Sequence, residues 1–172
     1  MSVEEHKKEA AQSVACAVLT ISDTRTLDDD ASGEEIRKWL EDAGHRVAAR
    51  RIIPDDVERI SGALRALAND VTIDAVITSG GTGIAPRDNT HDVLEQLLTR
   101  RLDGFGELFR AISYEKIGSA AMLSRAIGGL IGTTVVFSLP GSPDACRLAM
   151  EKLIVPELGH LVALAHPNKW RR

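Results

Sequence analysis

An α/β fold is predicted: a single-domain three-layer α/β/α sandwich around a mostly parallel sheet. Three observations predict it. Compact apolar runs of strand length recur along the chain, stretches with the 3.6-residue apolar period of amphipathic helices lie between them, and the two patterns alternate. At 172 residues the chain fits one domain and can bury about 70% of its unfolded surface.

Val14 to Ile21 reads as the first strand. A helix follows, because Ser32-x-x-Glu35 is a capping-box pattern, Ile36, Trp39, Leu40 and Ala43 share one face, and Gly44 can end it. Val47 to Ile53 is a second strand, and its arginines predict an edge position. Pro54-Asp55-Asp56 turns the chain into a helix with the stripe Val57, Ile60, Leu64 and Leu67, closed by Asn69-Asp70. Ile73 to Thr78 is the third strand. Asn89 or Thr90 can cap the next helix, which carries Val93, Leu94, Leu97 and Leu98. Short helices are expected over Phe105 to Ile117 and onward to Leu130. Thr133 to Leu139 is a β-branched buried strand. Ser142 followed by Pro143 starts a last helix, running to Leu164 with a kink at Pro156. Residues 1–13 read as a flexible arm, 14–165 as the domain and 166–172 as a tail.

Composition narrows the function. Apolar residues make up 44% and charged residues 27%, ordinary for a globular domain. Aromatics at 3% predict an aliphatic core and argue against base-stacking platforms. A net charge of −4 argues against a basic nucleic-acid face. Cys16 and Cys146 sit in a strand and a helix pattern, where a structural role is expected of both. Residues 126–143 carry no charge, but four glycines and two prolines there read as strand and turn rather than a membrane span. The polar start of the chain predicts a cytoplasmic protein.

The chemistry is sought at Thr78 to Thr90, Thr-Ser-Gly-Gly-Thr-Gly-Ile-Ala-Pro-Arg-Asp-Asn-Thr. A glycine-rich turn leaving a buried strand presents main-chain N–H groups to an anion. Arg87 adds a planar cation, and Asp88 a carboxylate suited to a hard metal ion. A purely steric role for the glycines and a solvated Arg87 are the plain alternatives. Neither the P-loop nor the dinucleotide fingerprint is present, which disfavours those enzyme classes. Ser22-Asp23, Asp55, the glycine loop and Pro140-Gly141-Ser142 all fall at carboxyl ends of predicted strands, where such sheets bind ligands. His91 reads as a helix-start residue, and His6, His45, His160 and His166 have no metal-ligand spacing.

The central motif, with Thr20-Ile21-Ser22-Asp23, Pro54-Asp55, Gly104-Phe105-Gly106-Glu107, Met122-Leu123-Ser124-Arg125 and Leu139-Pro140-Gly141-Ser142-Pro143, resembles the MogA/MoaB family of molybdenum cofactor biosynthesis proteins over about Val14 to Leu164. The chain's short length looks closer to MoaB. The resemblance implies adenylyl transfer, in which the terminal phosphate of molybdopterin attacks the α-phosphate of ATP with Mg²⁺ present and releases pyrophosphate. On that reading Asp55 and Asp88 handle Mg²⁺ and phosphate. Ser79, Gly80, Gly81, Thr82, Gly83 and Arg87 cradle phosphates, with Ser22, Asp23, Pro140, Gly141 and Ser142 completing the edge. Helix-cap or turn roles remain open for Asp55, Asp88, Ser22, Asp23 and Ser142. Two other functions stay open: a non-catalytic molybdopterin or nucleotide binder, and a molybdate-inserting enzyme of the related MoeA class. The family also implies a homo-oligomer, trimer or hexamer, and a hand-off of product to a MoeA-like protein can follow; Arg110 and Arg125 are the candidates for a side chain that a crevice could borrow from its neighbour.

Overall fold

A computed structural model describes residues 11–170, the side chain of Trp170 excepted. Six strands form one sheet: β1 (Ala15–Ile21), β2 (Arg46–Ile53), β3 (Ala75–Ser79), β4 (Arg100–Arg101), β5 (Ile127–Ile131) and β6 (Thr134–Leu139), in the order β2-β1-β3-β6-β5-β4. The first four in that order are parallel, with Val18 opposite Arg50 and Ile77, and Ile77 opposite Phe137. β2 lies at the edge, as its arginines predict. β5 and β4 add an antiparallel margin, and β5 replaces the end of the helical stretch expected to reach Leu130. Ile127-Gly-Gly-Leu-Ile is a poor strand former, and packing explains why it pairs nonetheless. A Cβ on Gly128 would lie 2.8 Å from the Phe137 ring, and one on Gly129 would lie 2.2 Å from the Arg100 carbonyl oxygen.

Both faces are covered. Residues of period 2 send Cys16, Val18, Ala75, Ile77, Val135, Phe137 and Leu139 to one side. There they meet α1 (Ala31–Asp42) through Ile36 and Leu40, α4 (Asp103–Ile117) through Phe105 and Phe109, and the C-terminal helices through Cys146, Met150, Ile154 and Leu158. Ala17, Leu19, Ile21, Val76 and Val136 face the other side, against α2 (Val57–Asn69) and α3 (Thr90–Leu97) through Ile60, Leu64, Leu67, Val93, Leu94 and Leu97. The sandwich and the mostly parallel sheet are therefore as the alternating pattern predicts.

Several local expectations change. Asp30, not Ser32, caps α1, accepting from the Gly33 N–H at 3.0 Å, while the Ser32 hydroxyl donates to the Gly141 carbonyl at 2.6 Å. Asp56, not Asp55, caps α2, accepting from the Arg59 N–H at 2.9 Å. Phe105 to Ile117 belongs to one fifteen-residue helix, followed by a 3₁₀ turn over Gly118–Leu123. Ser142 caps α5 (Pro143–Ala149) as expected, accepting from Ala145 N at 3.2 Å. The break in the last helix is a π turn at Met150–Ile154, ahead of Pro156, with α6 (Val155–Ala165) beyond it. Pro156 has no N–H to give the carbonyl four residues back, and its ring crowds that carbonyl, so the preceding turn widens. Ala11 is buried and its N–H donates to Gly159 O, so the core takes in chain assigned to the arm; residues 1–10 lie outside the described residues. At the other end, α7 (Pro167–Trp170) brings Lys169 to the buried Asp74, tying down part of the expected tail.

Candidate functional site

The carboxyl ends of β1, β2, β3 and β6 bring Ser22-Asp23, Pro54-Asp55, the glycine loop and Pro140-Gly141-Ser142 to one edge of the sheet. The sheet order changes direction there, since the chain passes outward from β1 to β2 and then to β3 on the opposite flank. Gly80 and Gly81 adopt φ of 98° and 68°, which side chains resist, and both are hemmed in. A Cβ on Gly80 would stand 2.3 Å from Ile21 O; on Gly81 it would stand 2.2 Å from Thr90 Oγ1 and 2.8 Å from Asp55 Oδ2. Gly80 N–H donates to Leu139 O at 3.0 Å, joining the loop to the β6 turn, where Gly141 packs close against Gly80. The next four N–H groups, of Gly81, Thr82, Gly83 and Ile84, reach no acceptor among the described residues, although Thr82 is buried and Gly81 and Gly83 are half-buried. Buried N–H groups such as that of Thr82 are rarely orphaned, and open N–H groups in succession along one turn can form an anion nest.

Two carboxylates flank the nest, and each keeps one oxygen without a described hydrogen-bond partner. Asp55 Oδ1 accepts from Asn89 N at 3.2 Å and Asn89 Nδ2 at 3.1 Å, leaving Oδ2 open toward Gly81. Asp88 Oδ2 accepts from Ala85 N at 2.8 Å and closes a turn, leaving Oδ1 open beside Gly83. Burial raises the pKa of Asp55, the Asn89 hydrogen bonds oppose it, and the charges of Asp88 and Asp23 push it up further. Asp23 Oδ1 accepts from Asp55 N at 3.1 Å, and Asp23 Oδ2 pairs with Arg87 at 2.8 Å, at an exposed position. Such geometry, an anion nest between carboxylates with one free oxygen apiece, fits a divalent cation carried on phosphates.

The other expected residues take varied places. Ser22 Oγ accepts from Thr24 N and Arg25 N, so it serves its own turn. Ser79 is fully buried, its hydroxyl 3.5 Å from Thr20 Oγ1, which donates to Asp30 Oδ2, which in turn pairs with Arg50; its side chain points away from any cradle. Pro140 O accepts from the Cys146 thiol. His91 lies in the first turn of α3, its Nδ1 2.6 Å from Arg125 O. Arg110 and Arg125 both bond within their own chain: Arg110 to the carbonyls of Ser124 and Ala126, Arg125 to those of Gly83 and Asp88 and to Asp92. Among the described residues His91, Asp92 and Glu95 also cluster, but Arg125 and Arg101 occupy those carboxylates.

Asn89 and Thr90 were not expected as site residues. Asn89 is the N-cap residue of α3 by position but makes no capping bond, because its side chain is turned to Asp55. Thr90 is fully buried with its hydroxyl unpartnered. Their place in a recognisable motif was legible, but their partners were not.

A fold of this topology with an anion nest at the strand ends defines a class of ligand-binding α/β domain. The chain matches the probable molybdopterin binding domain over residues 17–160 and belongs to that family. It is 54% identical over 167 residues to the molybdenum cofactor biosynthesis protein B of Bacillus cereus, covering 96% of this chain and 99% of that one. A crystal structure of a molybdenum cofactor biosynthesis protein B superposes with a TM-score of 0.89 at 52% identity, covering 92% and 99% of the two chains. The tungsten cofactor synthesizing protein MoaB of Pyrococcus furiosus superposes at 0.78 and 38% identity, covering 91% and 99%. The resemblance read from the motifs is thereby shown.

Proposed function

We propose that the protein acts in molybdenum cofactor biosynthesis by adenylylating molybdopterin from Mg-ATP. The observation that carries the reading is the run of open N–H groups from Gly81 to Ile84 between Asp55 and Asp88. In the reaction a terminal phosphate oxygen of molybdopterin bonds to the α-phosphorus of ATP, the bond from that phosphorus to the bridging oxygen breaks, and pyrophosphate leaves. This chemistry asks for positioning and charge neutralisation rather than a protein nucleophile. The nest binds phosphate oxygens through N–H donors already fixed in place. Arg87, exposed and paired only at the rim, can exchange Asp23 for a phosphate. Asp55 and Asp88 would hold Mg²⁺ through their open oxygens, and the ion supplies charge to offset the phosphates. A hollow of about 500 Å³, lined by Ser113, Lys116, Ile117, Asp144 and Arg147, adjoins the Ser142 end of the edge, but the glycine loop, Asp55 and Asp88 do not line it.

Pyrophosphate release from Mg-ATP, with and without molybdopterin, tests the reading. Release that depends on molybdopterin is expected; binding of both ligands with no release would leave a non-catalytic binder. The protein is also proposed to be a homo-oligomer, trimer or hexamer, supported by the exposed Leu108, Tyr114, Ile117, Met122 and Leu123 on α4 and the turn after it. Light scattering that gives 18.6 kDa at every concentration would exclude it.

A further inference from the structure

Arg125 reaches the main chain of the glycine loop and of the turn that follows it. Its Nε donates to Gly83 O at 2.9 Å and its Nη2 to Asp88 O at 3.0 Å. Its own N–H donates to Thr82 O at 2.9 Å. Two further contacts fix the residue itself: Asp92 pairs with Nη1 at 2.7 Å, and His91 Nδ1 meets its carbonyl at 2.6 Å. Every described peptide bond is trans, so the C=O and the following N–H of each plane point to opposite sides. Three planes are thereby oriented from one residue. With the carbonyls of Thr82 and Gly83 drawn toward Arg125, the N–H groups of Gly83 and Ile84 turn outward, and both are open members of the nest. With the Asp88 carbonyl drawn the same way, the Asn89 N–H turns to Asp55 Oδ1, the 3.2 Å bond already described.

We propose that Arg125 is the positioning residue of the crevice, using one guanidinium and one amide to hold three peptide planes so that their N–H groups face the phosphate nest and Asp55. Loop and carboxylate are then set by a common part: the plane between Asp88 and Asn89 has Arg125 on one side and Asp55 on the other. A lysine replaces it only in part, because a single ammonium does not present the planar fork that reaches two carbonyls. Arg125 touches no reacting atom.

This inference rests on the phosphate-binding reading for its functional meaning but not for its test. Hydrogen exchange of the ligand-free protein is measured in wild type, Arg125→Ala and Arg125→Lys. The amides of Asn89 and Thr90, bonded to Asp55 Oδ1 and Gly81 O, should exchange roughly tenfold faster or more in Arg125→Ala, while those of the β1 and β3 core stay protected. Arg125→Lys should fall between, and it supplies the measurement if Arg125→Ala does not fold. Guanidinium ion below denaturing concentration should restore protection in Arg125→Ala. Titration with Mg-ATP should show Kd raised about tenfold to a hundredfold in Arg125→Ala, the loss typical of hydrogen bonds from a charged donor. Unchanged exchange at Asn89 and Thr90 in both variants overturns the positioning role, whatever the ligand. Absence of Mg-ATP binding in the wild type overturns the phosphate reading instead, and leaves the exchange result to decide Arg125.

Discussion

Replacing Gly81 by alanine separates backbone strain from crowding, because the fold holds a matched control. Gly44 and Gly81 both have positive φ, 84° and 68°, but a Cβ on Gly44 meets nothing within 4 Å. Gly44→Ala should therefore cost only the left-handed penalty, about 1–2 kcal/mol. The same methyl on Gly81 would lie 2.2 Å from Thr90 Oγ1 and 2.8 Å from Asp55 Oδ2. Thr90 is fully buried in α3 and cannot withdraw, and moving Asp55 strains its two bonds to Asn89. Crowding of this kind adds about 1–3 kcal/mol. Gly81→Ala should thus lose roughly 2–5 kcal/mol in all, or roughly 4–20 °C in melting temperature at this chain length. Urea unfolding of both variants, run beside Mg-ATP titration, reads the two components. Because the substitution leaves the Gly81 N–H in place, a loss of Mg-ATP affinity in folded protein reports displacement of the loop planes or of Asp55. Equal unfolding free energies for Gly44→Ala and Gly81→Ala would refute the crowding argument.

Asp88→Ala should cut pyrophosphate release on the order of 10²-fold while costing only ~1 kcal/mol from the lost Ala85 bond; wild-type turnover at saturating Mg²⁺ would remove Asp88 from the site. The raised pKa of Asp55 means the folded state takes up its proton more readily than the unfolded chain. The group's contribution is then fully favourable below its unfolded pKa and is lost as pH rises through the folded one. In urea unfolding at a series of pH values, Asp55→Asn should lack the fall in stability that wild type shows just above the ordinary carboxylate range, and parallel profiles would contradict this. Cys16 and Cys146, whose thiols burial pushes up to about 12, should resist iodoacetamide at neutral pH in folded protein and react on unfolding; alkylation of the native chain would show that they are not sealed in the core.

Local pattern was enough for the parallel half of the sheet, for the edge placement of β2, for α2 and for the Ser142 cap, because period and capping chemistry are properties of neighbours in the chain. It also singled out the glycine loop, since Gly80, Gly81 and Gly83 follow a buried strand and are joined by Arg87 and Asp88. β5 escaped because its glycines make no sense until Phe137 and Arg100 are known to lie against them. The cap of α1 was misjudged, and the cap role left open for Asp55 at α2 falls to its neighbour. Asp30 and Asp56 hold those positions, which leaves Ser32 to bind Gly141 and frees Asp55 for the crevice. Ser79 stands within the motif, yet strand alternation turns its hydroxyl inward toward Thr20.

What the amino-acid order determined by itself was therefore the layer architecture, the family and the loop at which the proposed site is placed. Only the tertiary structure decided how that loop is held. The contacts that orient it run from Asp55 to Asn89, from Thr90 to Gly81 and from Arg125 to Gly83 and Asp88, joining strand ends, loop and helix across 34, 9, 42 and 37 positions of the chain. No pattern among near neighbours encodes such pairings, because they exist only once the sheet has brought its strand ends together.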